Sequence, residues 1–353
     1  MITVIIAGGS GTRLWPLSTS EYPKHLLTLV DDSSLLQAAF KRASAVGEHV
    51  YVVTEQSHSD HVQAQLPELP KENCLIEPGR RGTGNCIAFA LDVISRRHDH
   101  DEPIAFVHSD HHVRDTESYV KSIHSAMNSS NKTHKITLIG IEPTFPATGF
   151  GYIERDGMID ENDRAYNIES FKEKPDYDTA QKYMQAGKYL WNCGYFVGSV
   201  NTFLDEIRAV SPELSAHFDA LAAQSEPMNE GYNQAYLDFD DQVIDYALAE
   251  KSHNLAVVPA SFDWMDLGSF KDLHDAVERD ESGNHVHSKN GGDVHALDVE
   301  NIYVRNEEAK PIAIIGLDNI VVVNTPDGIL VARKDVAHRT GEVAKAIAAK
   351  SAK

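Results

Sequence analysis

The sequence predicts an α/β protein: a mixed, mostly parallel sheet with helices on both faces, followed by a small β-rich domain. Three observations carry this. The apolar runs at 2–7, 49–54 and 103–108 do not alternate with polar residues, which is the pattern of strands buried on both faces. Between them stand Gly-rich turns and stretches of helical periodicity, the order of βαβ units with right-handed crossovers. From about residue 281 short strands alternate with turns instead.

Taken in order, residues 2–7 run into Gly8-Gly9-Ser10-Gly11, and Ser33-Ser34 stands as a cap before Leu35, Leu36, Ala39, Phe40 and Ala43 on one helix face. His49 to Thr54 is a second strand. A Gly-rich turn at 79–84 precedes a helix with Ile87, Ala88, Leu91 and Ile94, and Pro103 to His108 is a strand ending at Asp110. This is Rossmann-like logic, in which ligands bind at the strand C-termini. Lys135 to Gly140 is a further strand, and the shorter strands of 150–200 make the sheet mixed. Residues 203–223 and 232–250 carry helical patterns, and 255–258 leads into the turn Trp264-Met265-Asp266-Leu267-Gly268. A domain boundary is placed between 280 and 281. Beyond it, turns at Gly291-Gly292, Asn306-Glu307-Glu308, Asp318-Asn319 and Pro326-Asp327-Gly328 show no strict repeat but suit a few coils of a β-solenoid, with a terminal helix from Gly341 to Ala349.

Composition narrows the function. A chain of 353 residues, 42% hydrophobic and 24% charged, supports about two globular domains and is neither disordered nor a disulfide scaffold. Lys and Arg number 32 against 53 Asp and Glu, a formal charge of −21. Such a field repels nucleic acid, and any phosphate site must supply local positive charge and a metal ion. No apolar run approaches the roughly 18–20 residues of a membrane span, and Met1 leads straight into a strand without a leader. Three cysteines, Cys74, Cys86 and Cys193, lack Cys-x-x-Cys spacing and read as free buried thiols. A cytoplasmic protein that needs no membrane is expected.

Four constellations carry candidate chemistry. Gly8, Gly9 and Gly11 at a strand end allow close backbone approach to phosphate, with Thr12, Arg13 and Lys24 following. Neither G-x-G-x-x-G nor a Walker spacing is present. Glu77-Pro78-Gly79-Arg80-Arg81-Gly82-Thr83-Gly84-Asn85 opens a helix and suits a nucleobase or phosphate, or simply a capped helix with Thr83 as N-cap. Asp110 follows a strand and Asp266 sits in a Gly turn; each is open to reading as a turn residue or a Mg²⁺ ligand. His111 and His112 leave a strand toward opposite faces and are taken as structural or peripheral. Gly151, Glu173-Lys174-Pro175 and Trp191-Asn192-Cys193-Gly194 form the last group, in which Pro175 is expected to hold Lys174 extended.

GGSGTRLWPLS followed by EYPKHLL resembles the N-terminal signature of sugar-1-phosphate nucleotidylyltransferases, most closely the mannose-1-phosphate guanylyltransferases (GDP-mannose pyrophosphorylases), whose pattern runs GGxGTRLWPLSR…PKQF. Thr19 and His25 depart from it. The resemblance continues through an EPxxRNTAPAI-type loop, where Gly82 and Gly84-Asn85 depart, then an ADH-type loop, TGYGYIE, FxEKP, WNxGxF and WxDxGS motifs, and the tail GLDNIVVVNTPDGILVARKD. It covers nearly the whole chain. It implies Arg13 and Lys24 as catalytic residues on the triphosphate; Gly8, Gly9, Gly11, Thr12, Glu77, Arg81 and Thr83 around the nucleotide; Gly151, Glu173 and Asn192 on the sugar; Lys174, also catalytic, on its phosphate; and Asp110 and Asp266 on Mg²⁺, with Asp263 as second choice.

The implied reaction is attack of mannose 1-phosphate on the α-phosphorus of GTP, with no general base and no covalent intermediate. Residues 1–280 are then the catalytic domain and 281–353 a left-handed β-helix-like domain, a candidate dimerisation element in a homodimer. Ending near 353, the chain is expected to be the single-function form, without a fused phosphomannose isomerase domain. Another sugar 1-phosphate such as heptose or glucose, another nucleoside triphosphate, or a non-catalytic regulator that binds sugar nucleotides stay open.

Overall fold

The computed structural model describes residues 1–9 and 12–351. Their contacts divide into two compact units. One is built from Met1–Gly8, Ala39–Ser109 and Val113–Trp264, the other from the described residues of Gly9–Ala38, Asp110–His112 and Met265–Lys353.

In chain order the strands up to residue 266 are β1 (Ile2–Ala7), β2 (His49–Glu55), β3 (Cys74–Glu77), β4 (Pro103–His108), β5 (His111–His112), β6 (Ile136–Ile141), β7 (Gly151–Asp160), β8 (Ala165–Lys172), β9 (Tyr189–Ser199), β10 (Leu255–Pro259) and β11 (Met265–Asp266). The first unit is a nine-stranded sheet in the order β3-β2-β1-β4-β9-β6-β10-β8-β7. Its β3-β2-β1-β4 half is parallel, and β9 runs antiparallel to β4, β6 and β7, so the sheet is mixed as expected. Strand β1 is buried along its whole length, which is why its sequence does not alternate. The helix Gly82–Ser95 is buried continuously from Gly84 to Ile94 and packs Phe89 and Leu91 into the same core as Ile2, Val4, Phe106 and Phe203. Burying each such side chain contributes about 1.5–3 kcal/mol.

Two helical expectations need correction. The 203–223 stretch is two helices, Val200–Val210 and Pro212–Ala222, because Pro212 starts a new one. The 232–250 stretch breaks after a helix at Glu230–Leu237 and resumes as a π-helical turn at Asp245–Ala249. The intervening segment leaves the helical path because its backbone is used elsewhere. The Gln242 N–H donates to the Arg81 carbonyl at 2.8 Å, and its carbonyl accepts from the Gly84 N–H at 2.8 Å.

In the second unit, β5 and β11 form an antiparallel ladder of two residue pairs, Met265 with His112 and Asp266 with His111. Beyond residue 281 come β12 (His285–Ser288), β13 (Val294–Leu297), β14 (Tyr303–Asn306), β15 (Ile312–Ile315), β16 (Ile320–Thr325) and β17 (Gly328–Arg333). Strands β12, β14 and β16 stack in parallel, as do β13 and β15, and β17 closes the first stack antiparallel.

A repeat absent from the residue pattern is present in the backbone. Side chains 18 residues apart meet, with the Asn324 amide donating to Asn306 Oδ1 at 2.9 Å and the Asn301 amide to Asn319 Oδ1 at 2.5 Å. The same corner recurs with positive φ at Gly283 (75°), Asn301 (56°) and Asn319 (53°), a conformation that Gly and Asn tolerate.

The described part of the loop after β1 packs within this second unit. Leu14, Leu17 and Leu29 share a core with Tyr303, Val321, Val323 and Leu330. The Thr325 hydroxyl donates to the Pro16 carbonyl at 3.2 Å, and Arg305 Nη2 donates to the Thr28 carbonyl at 2.9 Å. A Cβ on Gly328 would stand 2.6 Å from Trp15 Cζ2. Ser34 and Gln37 form a reciprocal capping box at 3.1 and 3.0 Å before the helix Leu35–Val46, as Ser33-Ser34 suggested.

Candidate active site

Within the second unit, three expected residues converge. Lys24 Nζ lies 2.9 Å from Asp110 Oδ2 and 3.0 Å from Asp266 Oδ1. Lys24 opens a short 3₁₀ turn after Pro23, Asp110 immediately precedes β5, and Asp266 lies in β11. The β5–β11 ladder thus joins two carboxylates that no local spacing links. Burial works against the Lys24 charge, but Asp110 and Asp266 outweigh it and hold the ammonium above its ordinary value. Burial likewise opposes the Asp266 carboxylate, and Lys24 outweighs burial and Asp110 to keep its pKa low.

Arg13 lies in the 3₁₀ turn Thr12–Leu14. Gly268 gives it room: a Cβ there would stand 3.2 Å from Arg13 Nη1 and 3.4 Å from Asp266 Oδ2. Gly341 does the same on the other side, 3.5 Å from Arg13 Cγ and 3.7 Å from Thr12 Oγ1. Gly9 has φ +101°, the left-handed region that favours glycine. Gly11 lies outside the described residues. His111 and His112 are buried in the ladder, with His112 Nδ1 3.8 Å from Asp31 Oδ2 and His111 Nε2 4.0 Å from Asp110 Oδ1.

Two carboxylates that clasp one cation at about 3 Å are a donor set of hard oxygens, the kind Mg²⁺ accepts together with phosphate oxygens and water. Asp110 and Asp266 therefore fit a divalent ion. Asp263 is occupied otherwise: its Oδ1 accepts the backbone N–H groups of Arg114 and Asp115 at 3.0 and 2.9 Å.

In the first unit, Gly151, Glu173, Lys174 and Asn192 come together. Gly151 pairs with Asn192 across β7 and β9. A Cβ on Gly151 would lie 2.5 Å from Glu173 Oε2 and 2.9 Å from Phe171 Cζ, so a side chain there would displace both. Lys174 Nζ contacts Glu173 Oε1 at 2.7 Å, and Lys174 has φ +45°, not the extended conformation expected before Pro175. β8 ends at Lys172, and the turn that follows brings adjacent side chains together at the cost of a strained residue. Burial disfavours the Lys174 charge, and the Glu173 carboxylate outweighs it.

Sequence reasoning missed Asp245. Its Oδ1 accepts from Asn192 Nδ2 at 2.8 Å while Asn192 Oδ1 accepts the Gly194 N–H at 3.0 Å, which fixes the amide. Burial, then repulsion from Glu173, pushes Asp245 up to about 6. Glu250 also joins the group, accepting the Glu173 N–H at 2.9 Å. Both lie in the stretch read as uninterrupted helix, and the π-turn that carries Asp245 shows only in the structure.

The third group surrounds the start of the helix Gly82–Ser95. Glu77 is buried and accepts from the Tyr236 hydroxyl; burial, opposed by that bond, raises it to about 7. Arg81 Nε donates to the Leu237 carbonyl at 3.1 Å. Thr83 is not the N-cap. Arg81 occupies that position without a side-chain bond, and Thr83 Oγ1 accepts the Ile244 N–H at 3.1 Å. The unusual glycines have a local cause: Gly82 has φ +84°, and a Cβ there would overlap the Gln242 carbonyl, with Gly84 also close to it at 2.9 Å. Asn85 is buried, donating to the Arg81 and Asp240 carbonyls at 2.7 and 2.8 Å.

Comparison with known proteins agrees in extent. A nucleotidyl transferase family pattern matches residues 2–283, and a MannoseP isomerase/GMP-like beta-helix domain pattern matches residues 292–347. The xanthan biosynthesis protein XanB of Xanthomonas campestris pv. campestris (strain B100) is 36% identical over 98% of this chain and 73% of its own length. The mannose-1-phosphate guanylyltransferase RfbM of Salmonella typhimurium is 35% identical over 95% of this chain and 70% of its own. Among solved structures, mannose-1-phosphate geranyltransferase from Thermus thermophilus superposes with a TM-score of 0.86 at 27% identity, covering 98% of both chains.

Proposed function

The chain belongs to the nucleotidyl transferase family, among the mannose-1-phosphate guanylyltransferases, and is an enzyme of sugar-1-phosphate nucleotidyl transfer; from that premise we propose that it transfers GMP from GTP to mannose 1-phosphate, giving GDP-mannose and pyrophosphate. The observation that carries the reading is the convergence of Asp110 and Asp266 on Lys24, in a protein whose net charge otherwise repels polyanions.

A phosphate monoester is already a nucleophile at neutral pH, so the protein has to position and neutralise charge. Arg13 and Lys24 hold the triphosphate, with Gly8, Gly9, Gly11 and Thr12 as nucleotide-binding residues. Lys174 holds the phosphate of the sugar, and Gly151, Glu173 and Asn192 read its hydroxyls. Glu77, Arg81 and Thr83 build the frame of the base pocket, through contacts to residues 236–244 in the first unit. Members of the family generally use a divalent metal, and here Mg²⁺ would be held by Asp110 and Asp266 and would neutralise phosphate charge. The site residues and the division into a catalytic 1–280 and a β-helical 281–353 are part of this proposal.

The same reading makes the protein cytoplasmic, with three free buried cysteines, and homodimeric. No helix of the described residues is long and apolar enough to cross a membrane. Exposed Leu297, Ile315, Ile329 and Val331 on the C-terminal strands support self-association. Light scattering on the eluting protein checks it, and a monomer refutes it.

The test of the reaction is pyrophosphate release with Mg²⁺ over four nucleoside triphosphates against mannose, glucose, galactose and heptose 1-phosphates, with no-sugar controls. Release confined to GTP with mannose 1-phosphate supports the assignment. Release with a different pair replaces the substrates and keeps the site.

A further inference from the structure

A group of side chains that the reaction does not use lies at the amino-terminal rim of the parallel strands. His49 opens β2, Glu102 stands just before β4, and His98 lies in the connection from the helix Gly82–Ser95. One ligand atom of each is within 4.8 Å of the others, the sole such group of three among the described residues.

The geometry is that of a ligand shell. His98 Nδ1 is 3.2 Å from Glu102 Oε2. Two ligands about 2.0–2.2 Å from a tetrahedral zinc lie about 3.4 Å apart, so these atoms already hold nearly that separation. The His49 and His98 rings stand 4.8 Å apart, tilted at 59°. His98 is also oriented from behind: its Nε2 is 2.7 Å from the Tyr51 hydroxyl. In the tautomer with the proton on Nε2, His98 donates to Tyr51 and turns the Nδ1 lone pair toward Glu102, the arrangement by which outer partners fix metal-binding imidazoles. Something positive, a proton or a metal ion, has to lie between that nitrogen and the carboxylate. The second Glu102 oxygen takes the Met1 α-amino group.

We propose that His49, His98 and Glu102 form a second metal site, one for a transition metal such as Zn²⁺, tying the start of β2 to the segment that enters β4. Two imidazoles and one carboxylate select Zn²⁺ over Mg²⁺, whereas the all-oxygen pair Asp110 and Asp266 does the reverse. The role is structural and independent of nucleotidyl transfer.

Equilibrium dialysis of the chelator-treated full chain against Zn²⁺ in saturating Mg²⁺, with metal analysis, tests the assignment. One equivalent of Zn²⁺ is expected. It should weaken at least tenfold in H49Q, H98Q and E102Q, and persist in D110N and in the surface control H253Q. The zinc absorption edge should report two imidazoles. Pyrophosphate release by H49Q should equal that of the parent. His49 lies at the end of its strand, so H49Q keeps the test valid if H98Q fails to fold. Undiminished Zn²⁺ binding in H49Q, or equal loss in H253Q, overturns the proposal.

Discussion

Lys24 Nζ and Asp266 Oδ1 stand 3.0 Å apart across 242 residues of sequence. Asp110 closes on the same ammonium at 2.9 Å, so one buried cation is shared by two carboxylates. That triad sets a buried positive charge beside a hard-oxygen donor pair in an acidic protein.

Asp110→Asn should lower turnover by about 10²–10³-fold or more with Mg²⁺ present, since one oxygen of the charge-neutralising pair is lost. The fold should survive, because Asp110 is a third exposed and Lys24 keeps Asp266. Steady-state pyrophosphate release alongside circular dichroism checks both parts. Full activity would remove the metal assignment.

Lys174→Ala should raise the Michaelis constant for the sugar phosphate about ten- to hundredfold, the worth of a charge-assisted bond, and leave that for the nucleotide nearly unchanged. Initial rates with each substrate varied in turn separate the two. Equal effects on both constants would contradict the role given to Lys174.

Gly151→Ala places a methyl group 2.5 Å from Glu173 Oε2 and 2.9 Å from Phe171 Cζ. The carboxylate has to swing away from its contact with Lys174. We expect weaker sugar-phosphate use by about tenfold, with stability lowered by about 1–3 kcal/mol of overpacking and the thermal midpoint falling accordingly. An alanine variant with parental kinetics would show that Glu173 does not need its present position.

Gly82→Asn restores the residue of the family pattern and should nevertheless destabilise this chain. Asn tolerates φ +84°, but its Cβ cannot share space with the Gln242 carbonyl. A fall of about 1–3 kcal/mol is expected, read as a drop of several degrees in scanning calorimetry. An unchanged midpoint would mean the 238–244 segment yields freely.

Glu77→Gln tests the buried carboxyl through pH. The folded-state pKa of about 7 lies above the ordinary 4.5, so the folded protein holds this proton more tightly than the unfolded chain. That contribution is complete below about pH 4.5 and is lost as pH rises through 7, at most about 3 kcal/mol. The variant should therefore gain stability over the parent at pH 8 and little at pH 5. Identical pH dependence of the two midpoints would refute the raised pKa.

Much of this was legible along the chain. Non-alternating strands announced the buried sheet, and the glycines at 8–9 marked a strand end open to close approach. What the residues did not display is how distant pieces meet. The β5–β11 ladder has only two residue pairs, too short for any periodicity, yet it places Asp110 beside Asp266. Asp245 hid inside an apparent helix because the Gln242 backbone bonds that break that helix are tertiary. The 18-residue coil was visible only as Gly283, Asn301 and Asn319, different residues that satisfy one backbone demand.

The packing of Leu14, Leu17 and Leu29 against Tyr303, Val321 and Val323 imposes a schedule on synthesis. Pro16 and its hydrogen-bond partner Thr325 are 309 residues apart. At roughly 5–20 residues per second, about 15–60 s separate the emergence of the loop from that of its platform. Over that interval the nascent chain carries an unsatisfied apolar segment near its front end. A ribosome that stalls short of the last strands releases a protein whose main sheet has all its strands while Leu14, Leu17 and Leu29 have nothing to fold upon.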